Sequence, residues 1–147
     1  MVKFFRKDCW CSSIANVSFY AMTKDISEIR ERLKTLLLAH HTVLKVKVDK
    51  ETNFEVSGTI EATQGKQMVD GVYFSSLVPK AKDIRFYFYP AYTHPTQFED
   101  ISPELAKLKK GKSCFHIKYL DDELETELTE LIAKAIAVYQ KEGWLAA

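Results

Sequence analysis

Val43-Leu44-Lys45-Val46-Lys47-Val48-Asp49-Lys50-Glu51-Thr52-Asn53-Phe54-Glu55-Val56-Ser57-Gly58-Thr59-Ile60-Glu61 decides the fold of this chain. Leu44, Val46 and Val48 alternate with Lys45 and Lys47. Phe54, Val56, Gly58 and Ile60 alternate with Glu55, Ser57, Thr59 and Glu61. Asp49 to Asn53, between the runs, is turn chemistry. A period of two in adjacent runs predicts paired antiparallel strands with one dry and one wet face.

Upstream the period changes. Ile26, Ile29, Leu33, Leu36, Leu37 and His40 recur at three- and four-residue spacing, which predicts an amphipathic helix. Asp25 and Glu28 form a capping box at its start. His40 and His41 close it, where imidazoles suit the helix dipole.

Downstream, Val69 to Val78 reads as a third strand with Val72 and Phe74 inward. Ile84 to Tyr89 reads as a fourth, with Ile84, Phe86 and Phe88 on one side and Arg85, Tyr87 and Tyr89 on the other. Ser102 and Pro103 start a short helix, and Gly111 stops it. Ser113 to Tyr119 is a fifth strand, with Phe115 and Ile117 opposite Cys114, His116 and Lys118. The last helix opens on a capping box of Asp122 and Glu125 and carries a stripe of Leu124, Leu128, Leu131, Ile132, Ala135 and Tyr139. Gly143 ends it. The expected fold is an α+β two-layer sandwich, an antiparallel sheet of about five strands with an N-terminal and a C-terminal amphipathic helix on one face.

One domain fits 147 residues, and burial at that length needs no staple. The net charge of +1 gives no bulk pull toward nucleic acid or anionic membrane. No apolar run approaches the roughly 18 residues of a membrane span. Cys9, Cys11 and Cys114 make an odd set without Cys-x-x-Cys spacing, which points away from a disulfide framework and toward a reducing, cytoplasmic setting. Residues 1–21 read as an N-terminal extension ahead of a single domain over 22–147. Their basic start is interrupted by Asp8 and diluted by serines, unlike a secretory leader. Cys9 and Cys11 are two metal-ligand types without a local partner.

The wet face collects Tyr73, Arg85, Tyr87, Tyr89, Cys114, His116 and Lys118. Aromatic bodies with polar tips suit ligand pockets and interfaces; the plainer reading is that they simply cover the sheet. Cys114 and His116 share a face and could act as nucleophile and base, but no third group to orient them is evident in the sequence. Accordingly no catalytic residue is assigned. His94 lies in a loop from Pro90 to Pro95 and is expected to be exposed. Asp121, Asp122 and Glu125, at the start of the last helix, could hold a hard cation, although capping explains most of these acids. Lys107, Lys109, Lys110 and Lys112 form a small basic cluster that could touch phosphate, although a solvated helix end is the plainer reading.

Phe88-Tyr89-Pro90-Ala91-Tyr92, Asp100-Ile101-Ser102-Pro103-Glu104-Leu105 and Gly111-Lys112-Ser113-Cys114-Phe115-His116-Ile117-Lys118 together resemble the YdhG-like group of uncharacterised bacterial proteins. The resemblance extends over all but residues 1–21. It implies a compact α+β sandwich. One branch of the group is described as frataxin-like iron chaperones, which implies iron as an alternative cofactor. Here the first helix mixes Asp25, Glu28 and Glu31 with Arg30, Arg32 and Lys34, so no iron ligand carries over. The function expected is a non-enzymatic binding module acting through the wet face on a small ligand, a protein partner or a second copy as a homodimer. The alternative is weak iron binding.

Overall fold

A computed structural model describes residues 22–147. The readings of Cys9, Cys11 and the extension over 1–21 lie outside the described residues. In chain order the elements are α1 (Ile26–Leu38), β1 (Leu44–Lys50), β2 (Asn53–Gly58), β3 (Ala62–Gln64), β4 (Gln67–Val69), β5 (Tyr73–Pro79) and β6 (Ile84–Phe88). Then come α2 (Pro90–Thr93), a 3-10 turn (Pro95–Phe98), α3 (Pro103–Leu108), β7 (Lys109–Lys110), β8 (Cys114–Ile117) and α4 (Asp122–Lys141). The fold is α+β, an antiparallel sheet flanked by N- and C-terminal helices.

The sheet runs β1-β2-β5-β6-β8-β7, with all pairs antiparallel. Phe54, Leu77, Phe86 and Phe115 stand opposite one another across four strands and are all buried. The helices cover this row's face. Lys34 of α1 lies 5.2 Å from the Phe54 ring, and Tyr139 of α4 meets Phe74 edge to face at 5.8 Å. Of the predicted α1 stripe, Ile29, Leu33 and Leu37 are buried while Ile26, Leu36 and His40 are half-buried; α4 buries its whole predicted stripe, Leu124, Leu128, Leu131, Ile132, Ala135 and Tyr139, together with Ile136.

Five expected strands become six in the sheet plus a separate β3–β4 hairpin. The run Val69 to Val78 is two strands, because Gly71 packs its Cα against the backbone of Gly58. A Cβ there would fall 2.1 Å from the Gly58 carbonyl oxygen. The sixth strand is Lys109–Lys110. Gly111 does not stop α3; at φ +84° it turns β7 into β8, a conformation that costs glycine little.

In β1 the expected alternation breaks. Val46 stands opposite Val56, the register then slips at Lys47, and Val48 stands opposite Glu55. This bulge carries Val48 to the wet face and Asp49 to the helix side, where Asp49 pairs with Lys34 at 3.1 Å. Val46 stays 44% exposed at the sheet's edge, flanked by lysines that discourage edge-to-edge pairing.

The caps differ in detail from the expectation. Asp25 accepts the Glu28 N–H at 2.9 Å as predicted. The Glu28 carboxylate, however, accepts from the Thr23 hydroxyl, which in turn accepts the Asp25 N–H at 3.1 Å. The box is closed through Thr23. At α4 the N-cap is Asp121 rather than Asp122; its carboxylate accepts the Leu124 N–H at 2.8 Å. That shift by one residue leaves Glu125 to pair with Arg32 of α1. Gly143, at φ +80°, ends α4 as predicted, with the Trp144 N–H donating to the Tyr139 carbonyl and the Gly143 N–H to that of Gln140.

The expected loop at His94 is α2 followed by the 3-10 turn. His94 is not exposed. Its ring lies 5.4 Å from Trp144, and its two nitrogens face Thr93 and Glu142. Coiling the segment into helical turns brings the ring back onto the end of α4.

Candidate functional site

Strand pairing builds the wet face. β6 pairs with β8 so that Arg85 stands opposite His116 and Tyr87 opposite Cys114. On the other side of β6, Tyr87 stands opposite Ser76 of β5. The Tyr73 hydroxyl bonds the Ser76 hydroxyl at 2.7 Å, and the Tyr73 ring meets Tyr89 at 5.4 Å. Six of the seven expected residues therefore form one continuous surface. Lys118 lies one step beyond the end of β8, is exposed, and lines a separate cleft with Ile26, Ala81 and Tyr119.

This surface is less open than alternation implies. Tyr73, Arg85, Tyr87, Tyr89, Cys114 and His116 are half-buried, and Ser57 and Ser76 are buried. The β3–β4 hairpin sits beside the start of β5, where Gln64 accepts the Tyr73 N–H at 3.1 Å. Burial pushes the Tyr73 phenol up to about 12, against a smaller downward pull from the Ser76 hydrogen bond.

Two charged residues join the site that alternation had not singled out. Asp83 is buried and accepts from Arg85 Nε at 2.8 Å; its other oxygen lies 3.8 Å from His116 Nδ1. Extending the β6 parity one step back from Arg85 would have found it. Lys110 stands opposite Cys114 across the β7–β8 hairpin. Nothing in the sequence signalled this, because Gly111 also fits a helix stop.

The electrostatics follow from these neighbours. Burial lowers the His116 pKa, and Arg85, Lys110 and Lys118 lower it further against the opposing pull of Asp83. Burial raises the Cys114 thiol, with Arg85 pulling it down and Asp83 pushing it up. A raised thiol beside an imidazole of lowered basicity favours the neutral pair over thiolate and imidazolium. Asp83 stands where a third, orienting group would lie, but at 3.8 Å from Nδ1 it makes no hydrogen bond to His116.

The acids proposed for metal are dispersed in role. Asp121 caps α4, Glu125 pairs with Arg32, and Asp122 is exposed. Asp122 and Glu125 line a cleft between α1 and α4 together with Glu28, Arg32, Thr126 and Thr129. Among the described residues, no group of three or more His, Cys, Asp or Glu is placed to hold a metal ion. Among them too, no helix is long and apolar enough to cross a membrane.

At the end of the sheet, Tyr89 stacks on Tyr92 with ring centroids 5.7 Å apart. Both line a cleft shared with Trp144, Lys109 and Lys112. The aromatic row thus runs from Tyr73 on the sheet through Tyr89 to this rim.

Comparison of the chain with family models, with curated proteins and with solved structures found no match.

Proposed function

We propose that this chain is a non-enzymatic binding module whose ligand sits on the wet face of the sheet. The observation that carries this reading is the cross-strand register. It joins Tyr73, Ser76, Tyr87, Cys114, Arg85 and His116 into one half-buried surface of aromatic and polar side chains. Such a contiguous patch differs from the scattered apolar residues of an ordinary surface. Tyrosine and arginine are also the side chains most enriched where binding energy concentrates. The Gly111 to Lys118 stretch, which carries the resemblance to the YdhG-like group, includes β8 and so presents Cys114 and His116 here. Iron binding at the start of α4 has weaker support, because Asp121 and Glu125 already serve the cap and the Arg32 pair.

The test is a heteronuclear NMR screen of the full chain against a panel of small metabolites, with sedimentation run in parallel. Binding on this face shifts amides of β5, β6 and β8, and Tyr87→Ala with His116→Ala removes the effect while the protein stays folded. A dimer or protein partner using the face would be weakened by the same pair. Binding that persists in the folded double variant places the site elsewhere.

A further inference from the structure

We infer that the wet face recognises an oxyanion, a carboxylate or phosphate group on its ligand, and that Arg85 is the residue that grips it. This rests on the wet-face reading and names the ligand's chemistry. Asp83 has only 10% of its side chain exposed and holds Arg85 by Nε at 2.8 Å. That contact fixes the plane of the guanidinium. Nη1 and Nη2 have no protein partner among the described residues, and the Arg85 side chain is 32% exposed. A guanidinium held by a buried carboxylate, with two N–H-bearing nitrogens left toward solvent, is pre-organised for a planar or tetrahedral oxyanion.

The surroundings point the same way. His116 stands directly across from Arg85, 21% exposed, and its Nε2 has no partner among the described residues. Lys110 and Lys118 both act on His116 as positive charges. Of the acids on this face, Asp83 is occupied by Arg85, and Glu55 stands opposite Ser76 on β5, toward the Tyr73 end. An anionic group on the ligand then supplies acceptors for the free nitrogens of Arg85 and His116. Tyr87 and Tyr73 beside them offer apolar area for the rest of the ligand.

The experiment is an NMR titration of the full chain with inorganic phosphate and, separately, with malonate, at ionic strength held constant by chloride. Saturable shifts of the Arg85 Nε–H and the His116 ring are expected. Arg85→Lys keeps the charge but loses the fork, and should weaken binding about tenfold, the loss of a charge-assisted hydrogen bond. His116→Gln, which does not disturb the Asp83–Arg85 pair, should weaken it less. Tighter phosphate points to a phosphate ester and tighter malonate to a carboxylic acid; either supports the inference. Equal binding by a folded Arg85→Lys, or shifts that map elsewhere, overturns it. If neither anion touches Arg85 while the metabolite screen still shifts Tyr87 and Cys114, the face binds a ligand and only the oxyanion assignment fails.

Discussion

Glu127 of α4 holds Ser102 at both its backbone nitrogen, at 2.8 Å, and its hydroxyl, at 2.6 Å. Ser102 is itself the N-cap of α3, accepting the Leu105 N–H at 3.1 Å. One carboxylate thus positions the helix that leads into β7 and Lys110. Glu127→Ala should cost about 1–3 kcal/mol, since it leaves half-buried donors unpaired. Urea denaturation checks this, with Glu127→Gln expected to lie between the variant and the parent.

Among the glycines, Gly71 has the least room for a side chain. Its missing Cβ would meet the Gly58 carbonyl oxygen at 2.1 Å, so the segment between β4 and β5 must move away from the end of β2 to admit a methyl group. Gly71→Ala should lower stability by roughly 1–3 kcal/mol or more, as overpacking does. Gly65, with φ +67° but open space around it, should lose less on Gly65→Ala. Thermal melts of the two variants give the comparison.

Alkaline stability should report the buried phenols. Tyr73 is raised to about 12 and Tyr139 is raised further, both chiefly by burial, against an ordinary value of 10.0. The unfolded chain therefore loses these protons first. The stabilisation is complete below pH 10 and is lost as pH rises through the folded values. Denaturant midpoints should fall between pH 10 and 12, and Tyr73→Phe should flatten part of that fall.

Acid stability should carry the opposite slope from His116. Its folded value lies below the 6.5 of the free side chain, through burial and the charges of Arg85, Lys110 and Lys118, which Asp83 only partly offsets. As pH falls below 6.5, the unfolded chain takes up a proton that the folded chain resists, and stability drops until the folded value is passed. His40, lowered by burial, adds in the same sense. His116→Gln should remove its share of the slope in denaturation curves between pH 7 and 5.

Cys114 should react slowly with thiol reagents at neutral pH in the folded protein, because burial raises it and nucleophilic attack needs the thiolate. Arg85→Ala, which removes the one downward influence, should slow it further. Peptide-level mass spectrometry after timed labelling separates Cys114 from Cys9 and Cys11. Fast labelling of the native protein would reopen the reading of Cys114 and His116 as nucleophile and base.

Much of the fold was legible because its signals are local. The period of two in Val43 to Glu61 and the apolar stripes of α1 and α4 reflect which face of one element meets the core, and that depends only on the element's own geometry. Parity alone also placed Arg85 with Tyr87, and Cys114 with His116, on the wet face. Asp25 and Gly143 were legible because a cap is satisfied by backbone a few residues away.

What the chain could not show along its own length depends on partners distant in sequence. The slip at Lys47 moves Asp49 under α1, and it exists only because β1 pairs with β2 in that register. Gly111 is compatible with ending a helix or turning a hairpin, and the β7–β8 pairing decided between them. The spacing points to Asp122 as the cap of α4, but the fold uses Asp121, and Glu125 pairs with Arg32 instead. Above all, Asp83 next to Arg85, and Arg85 across from His116, became a site only when β6 was hydrogen-bonded to β8. Local periodicity settles which side chains share a face wherever a strand runs without a bulge; which of them meet, and where a strand slips, follows from pairing, because register and turns are set by backbone hydrogen bonds between segments far apart in the chain.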